Sequence, residues 1–101
     1  MPRVIFSPAA FRDLERLREF LRPKSSEVAK RAAKAIIKAV QILSLQPGIG
    51  RPADELGPDY RELPIDFGGS GYLALYRQRG GDVVILALRH QLEDDYSNYR
   101  V

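Results

Sequence analysis

The sequence predicts one α+β domain, residues 1–101, in the order β-α-α-β-β-β: a helix hairpin packed on a mainly antiparallel four-stranded sheet. Three observations predict it. Apolar residues recur at helical spacing in two stretches between residues 8 and 45. Three strand-like runs with glycine-rich turns between them fill residues 60–88. A short β-branched and aromatic run, Arg3-Val4-Ile5-Phe6, precedes the helices and supplies the first strand.

The first helix is expected to start at Ser7-Pro8. Serine caps the exposed N–H groups, and proline at the first helical position gives up a donor that would be orphaned anyway. Ala10, Leu14, Leu17 and Leu21 share one face, with Phe11 and Phe20 widening it. Pro23 disfavours helical geometry before it, so the helix is expected to end near Arg22. Ser25 or Ser26 caps the second helix, which is expected to run to about Leu45 before Pro47-Gly48. Ala29, Ala33, Ile36, Val40 and Leu43 form its buried stripe, with Ala32 and Ile37 beside it. The short link between the helices predicts an antiparallel hairpin.

Residues 46–59 hold three prolines and three glycines and read as a connecting loop. Tyr60 to Ile65 reads as a strand, residues 66–71 as a flexible turn, and Tyr72 to Arg79 as a second strand. Gly80-Gly81 is a hairpin signal. The apolar run Val83 to Leu88 predicts a central strand covered on both faces. The tail from Arg89 is polar, with Tyr96 and Tyr99 in it.

Composition excludes much chemistry. With 45% hydrophobic and 29% charged residues, the chain builds a core rather than a disordered coil. No cysteine is present, so disulfides, thiolate metal sites and cysteine nucleophiles are out, and one histidine rules out a polyimidazole metal site. No metal or cofactor is expected. Without an apolar run of roughly 18 residues or a secretory signal, a cytoplasmic domain is expected. The glycine run 68–71 has no Gly-Lys-Ser/Thr after it and is not a phosphate loop. The pairs Asp54-Glu55 and Asp94-Asp95 read as solvated surface.

Charge is unevenly divided. Residues 1–50 carry ten basic and four acidic side chains, whereas residues 51–101 carry six and nine. His90 ends the most apolar strand beside Arg89, with Tyr96 shortly after. Histidine to move protons, arginine to hold a phosphate and tyrosine to donate or stack would together support metal-free RNA cleavage. Arg61, Arg77 and Arg79 extend a basic sheet surface toward the same end. These six residues are the candidate binding positions.

Four stretches, Phe6 to Leu14, Tyr60 to Pro64, Gly69 to Arg77 and Asp82 to Gln91, resemble the ParE/RelE superfamily of type II toxin–antitoxin toxins across nearly the whole chain. The resemblance implies a bacterial toxin neutralised by a cognate antitoxin, whose C-terminal segment wraps it, in a toxin–antitoxin heterotetramer. RelE-like members cleave messenger RNA on the ribosome, and ParE-like members poison DNA gyrase. RelE-like catalysts place a basic residue after the Gly-Tyr of the third strand, where this chain has Leu73, and cluster cations where this chain turns acidic at Glu93-Asp94-Asp95. The resemblance therefore implies the ParE-like branch, a gyrase inhibitor with no catalytic residues. The alternatives are a ribosome-dependent endoribonuclease using Arg89, His90 and Tyr96, and a non-toxic antitoxin-binding module.

Overall fold

The computed structural model describes residues 2–93 and Tyr96. Strand β1 spans Arg3–Phe6, helix α1 Pro8–Leu21 and helix α2 Ser26–Gln41, followed by one 3-10 turn over Ile42–Ser44. Strands β2 Arg51–Pro52, β3 Tyr60–Phe67, β4 Ser70–Arg79 and β5 Asp82–His90 complete the order. The sheet runs β1-β5-β4-β3-β2, with β1 parallel to β5 and every other pair antiparallel. It has five strands rather than four. The extra one lies inside the expected loop, where two residues ending in proline carry no hydrophobic pattern and only an edge position tolerates them.

Both caps form as the residue types require. The Ser7 hydroxyl accepts from the Ala10 N–H at 3.1 Å with Pro8 opening α1, and the Ser25 hydroxyl, not Ser26, accepts from the Val28 N–H at 3.2 Å. Helix α2 stops at Gln41, short of Leu45, by tightening into the 3-10 turn. The β3–β4 turn is shorter than residues 66–71 suggested, Gly68-Gly69 alone, whereas Gly80-Gly81 links β4 to β5 as expected. Only the first glycine of each pair has positive φ, +60° at Gly68 and +59° at Gly80, the pattern of a type II′ turn whose twist matches the flanking strands.

The helices cover one face of the sheet, here the inner face. Ala10, Leu14 and Leu17 of α1 and Ala32, Ile36 and Val40 of α2 meet Leu63, Ile65, Tyr72, Ala74, Tyr76, Val83, Ile85 and Leu88. Phe11 and Phe20 do not join them; they are 56% and 69% exposed. The centre of the α1 stripe lies on the Ala10–Leu17–Leu21 side, and at 100° per residue the two phenylalanines fall on its opposite flanks. Phe11 instead stacks on Phe6, ring centroids 5.4 Å apart. Ile37 likewise sits on the flank of α2 and is exposed.

Strand β5 lies inside the sheet between β1 and β4, and its apolar run has a structural cause. Leu75 pairs with Ala87 and Tyr76 with Ile85, so Leu86 is an extra, bulged residue. The bulge shifts the alternation: Val83, Ile85 and Leu88 face the helices, while Ala87 packs on the outer face with Leu75 and Ala53. Strand β1 pairs only as far as Ile85, so beyond it β5 has no strand on that side. Three side chains of the α1 region take over. The Ser7 hydroxyl donates to the Leu86 carbonyl (3.1 Å), the Leu88 N–H donates to Asp13 Oδ2 (2.9 Å), and the Arg16 guanidinium donates to the Leu88 carbonyl (3.4 Å). Asp13 is fully buried and also lies 3.6 Å from Arg16. A carboxylate enters the core only because a backbone donor and an arginine meet it there.

Truncating Asp13→Ala orphans the buried Leu88 N–H and is expected to lower unfolding free energy by about 1–3 kcal/mol. Leu14→Ala is expected to cost roughly 2–5 kcal/mol by opening a cavity under β5. Both are read from denaturant midpoints, and a midpoint unchanged by either substitution would show that the α1–β5 contact is assigned wrongly.

Candidate functional site

Successive side chains of a strand point to opposite faces, and this separates the sequence candidates. Arg89 lies on the outer face and His90 on the inner, where its ring meets Tyr72 edge-on at 5.4 Å. Both histidine nitrogens are engaged. The Leu92 N–H donates to Nδ1 (3.1 Å), which puts the proton of the neutral ring on Nε2, facing Ser70 Oγ at 2.9 Å. The His90 N–H in turn donates to Glu93 Oε1 at 2.8 Å. His90 thus ties the end of β5 to the start of β4.

Arg89 and Tyr96 are brought together. The guanidinium sits 5.2 Å from the centroid of the Tyr96 ring and also donates to the Glu93 carbonyl. The Tyr96 hydroxyl donates to Glu62 Oε2 at 2.5 Å, and Arg51 bonds the other carboxylate oxygen at 3.1 Å. A polar chain Arg51–Glu62–Tyr96–Arg89 therefore crosses the outer face. Beneath it lies a small apolar cluster of Ala53, Leu75 and Ala87, with Leu56, Tyr60, Leu86 and Tyr96 packed against it. The outer face is thus partly closed by residues 53–56 and Tyr96, where the sequence suggested an open arginine surface. Burial, reinforced by the Glu62 carboxylate, pushes the Tyr96 phenol well above its ordinary value, against the opposing pull of Arg89. It holds its proton and serves as a donor, not a base.

The other arginines do not converge on this end. Arg77 pairs in register with Val84 and Arg79 with Asp82, whereas Arg89 pairs with Leu73 and His90 with Tyr72 at the opposite end of β4. Five residues of strand, roughly 17 Å, separate Arg77 from Tyr72. Arg77 stacks over Tyr60 at 5.2 Å and reaches Asp59 at 4.0 Å. Arg79 is exposed beside it. Arg61 has the phase of the inner face, pairs with Tyr76 and donates to the Gly50 carbonyl at 2.7 Å. Next to it a polar cleft of about 370 Å³ is lined by Pro58, Asp59, Arg61, Gln78 and Gly80. Leu73, the neighbour of Arg89 in the ladder, is buried at 5% exposure.

Sequence reasoning missed Asp13, Glu62, Ser70 and Glu93. Asp13 had a signal: a carboxylate between Ala10, Leu14 and Leu17 on an otherwise apolar face. The Arg51–Glu62 pair and the Arg16–Glu93 bridge (2.8 Å) join residues far apart in sequence and had none. Tyr99, Asp94 and Asp95 lie outside the described residues. Among the described residues no three His, Cys, Asp or Glu side chains gather as metal ligands would, and no helix is long and apolar enough to cross a membrane.

The phenol shift has a measurable sign. Above about pH 10 an unfolded tyrosine gives up its proton while folded Tyr96 keeps it, so stability contributed below that pH is lost as pH rises. Tyr96→Phe is expected to flatten the fall in denaturant midpoint between about pH 9 and 11, leaving the share due to Tyr72 and Tyr76, whose phenols burial also raises. An identical slope in the variant would show that Tyr96 does not pack on the sheet.

Known proteins align with this architecture along almost its full length. Toxin RelE3 of Caulobacter vibrioides is 36% identical over 93 residues, covering 92% of this chain and 98% of its own. Toxin RelE1 of the same organism is 34% identical over 90 residues, covering 89% and 94%. A chain solved in the chromosomal ParDE TA system from P. aeruginosa shares the fold, with a TM-score of 0.75 at 24% identity over 89% of this chain and 96% of that one. Residues 4–95 match the family described as the ParE toxin of the type II toxin-antitoxin system, parDE. The chain belongs to the ParE toxin family, within the ParE/RelE superfamily of type II toxins.

Proposed function

We propose that this chain is a ParE-like toxin that inhibits DNA gyrase without catalysing a reaction and is held inactive by a cognate antitoxin in a heterotetramer. The gyrase target rests on the family resemblance. One observation about the chain itself supports the branch: among the described residues, Arg89, His90 and Tyr96 do not converge on one point where a phosphate could sit. Metal-free RNA cleavage needs a base for the ribose hydroxyl, an acid for the leaving oxygen and a cation between them. Here Arg89 and His90 diverge to opposite faces, both His90 nitrogens are occupied, and the Tyr96 hydroxyl is bonded to Glu62. Leu73 leaves Arg89 without a second cation in the neighbouring ladder position.

The second reading, a RelE-like ribosome-dependent endoribonuclease, is favoured by the Arg89–Tyr96 contact and by the RelE names of the two Caulobacter relatives. A third, a non-toxic module that binds only the antitoxin, predicts harmless overexpression in a bacterium.

Purified toxin is expected to abolish gyrase supercoiling at saturating concentration, with activity restored by an equimolar antitoxin, and to leave messenger RNA on ribosomes intact. Arg89→Gln and Tyr96→Phe are expected to change that inhibition by less than about tenfold, the factor equivalent to about 1.4 kcal/mol. Untouched supercoiling alongside cleaved messenger RNA would replace this reading with the nuclease.

A further inference from the structure

Among the described residues the largest run of exposed cations without a carboxylate partner lies on α2, whereas Arg12, Lys24 and, on the sheet, Arg79 are isolated ones. Most arginines outside α2 are occupied internally: Arg3 by Asp82, Arg16 by Asp13 and Glu93, Arg18 by Glu15, Arg22 by Glu19, Arg51 by Glu62 and Arg77 by Asp59. Arg61 and Arg89 are bonded to backbone carbonyls. By contrast Lys30, Arg31, Lys34 and Lys38 are all exposed, and none has a carboxylate within ion-pair reach among the described residues. Lys30, Lys34 and Lys38 recur every fourth residue and stack in one row about 12 Å long. At 100° per residue this row, with Arg31 beside it, lies opposite the buried Ala29, Ile36 and Val40. Glu27 is the one acid of the helix.

We propose that this crest binds the phosphodiester backbone of a nucleic-acid duplex, through charge and without reading bases. Two features of the crest select that occupant. A protein partner needs a desolvated apolar or aromatic anchor at the centre of its footprint. Here the apolar Ile37 and Ile42 lie on the two flanks of the helix, and the row between them is cationic. A single strand needs aromatic rings on which its bases stack, and α2 has none. A regularly spaced row of phosphates asks only for cations at matching intervals and releases counterions on binding. The inference is independent of the gyrase reading, because the crest shares no residue with the six candidate binding positions.

The test is fluorescence anisotropy of a labelled mixed-sequence 20-base-pair DNA duplex titrated with the purified chain between 50 and 200 mM salt. Four phosphate contacts are expected to give a slope of log K against log salt near −3.6, an affinity loss of about 150-fold over that range. The K30Q/R31Q/K34Q/K38Q variant keeps helix propensity and is expected to lose at least about tenfold in affinity at 50 mM and most of the slope. Lys34→Gln alone, which leaves three cations and the core untouched, is expected to make the slope shallower by about 0.9. Arg3→Gln, on the sheet and already paired with Asp82, is expected to leave it unchanged. Circular dichroism confirms that each variant is folded. Absence of duplex binding at 50 mM, or a slope unaltered by Lys34→Gln, would overturn the proposal. Binding of poly-glutamate without binding of duplex would assign the crest to an acidic protein instead, and tighter binding of a single strand would remove the duplex from it.

Discussion

One buried contact governs the architecture: the Asp13 carboxylate on the Leu88 N–H. Strand β1 is four residues long and β5 is nine, so the central strand outruns its parallel neighbour. The exposed backbone groups would orphan in the core unless something else met them. Ser7, capping α1, and Asp13 and Arg16 on the helix meet them as a strand would, and thereby hold the helix against the sheet. The helix hairpin, the inner core and the position of the β5 end all inherit that setting. Glu93 extends it, joining Arg16 of the helix to the His90 backbone beyond the strand.

The outer face follows from the bulge at Leu86. Because the bulge turns Ala87 outward beside Leu75, an apolar patch appears on the side without helices. Such a patch needs cover, and the chain supplies Leu56, Tyr60 and Tyr96. The ion pairs and ring stacks above them close over the patch rather than project into solvent. That is why most arginines read from sequence as a recognition surface turn out to be engaged at home, Arg79 excepted, while the lysines of α2 are left with unbalanced charge. Charge counted along a chain says how much there is; only the fold says how much is already neutralised.

Much of this was legible in the sequence. Ser7-Pro8 and Ser25 announced the helix starts, the stripe Ala29–Ile36–Val40–Leu43 announced the buried face of α2, and Gly80-Gly81 announced a hairpin. Each of these is a local signal whose physics acts over a few residues. What was not legible depends on pairing between distant segments. Arg51–Pro52 becomes a strand only because β3 lies beside it. Phe11 looked like core because it neighbours the core face, but it lies about 100° around the helix from the centre of that face. The split of Arg89 from His90 was implicit in strand alternation, since adjacent residues cannot share a face; extending the strand two residues past Leu88 would have revealed it.

The parallel pairing of β1 with β5 has a consequence for how the domain comes into being. Arg3 finds Asp82 across 79 residues of chain, so β1 pairs only with a strand far along the sequence. Closing so long a loop is slow compared with forming the helices. The β1–β5 seam is therefore the non-local step of the fold, set against helices and hairpins that form from contacts close in sequence.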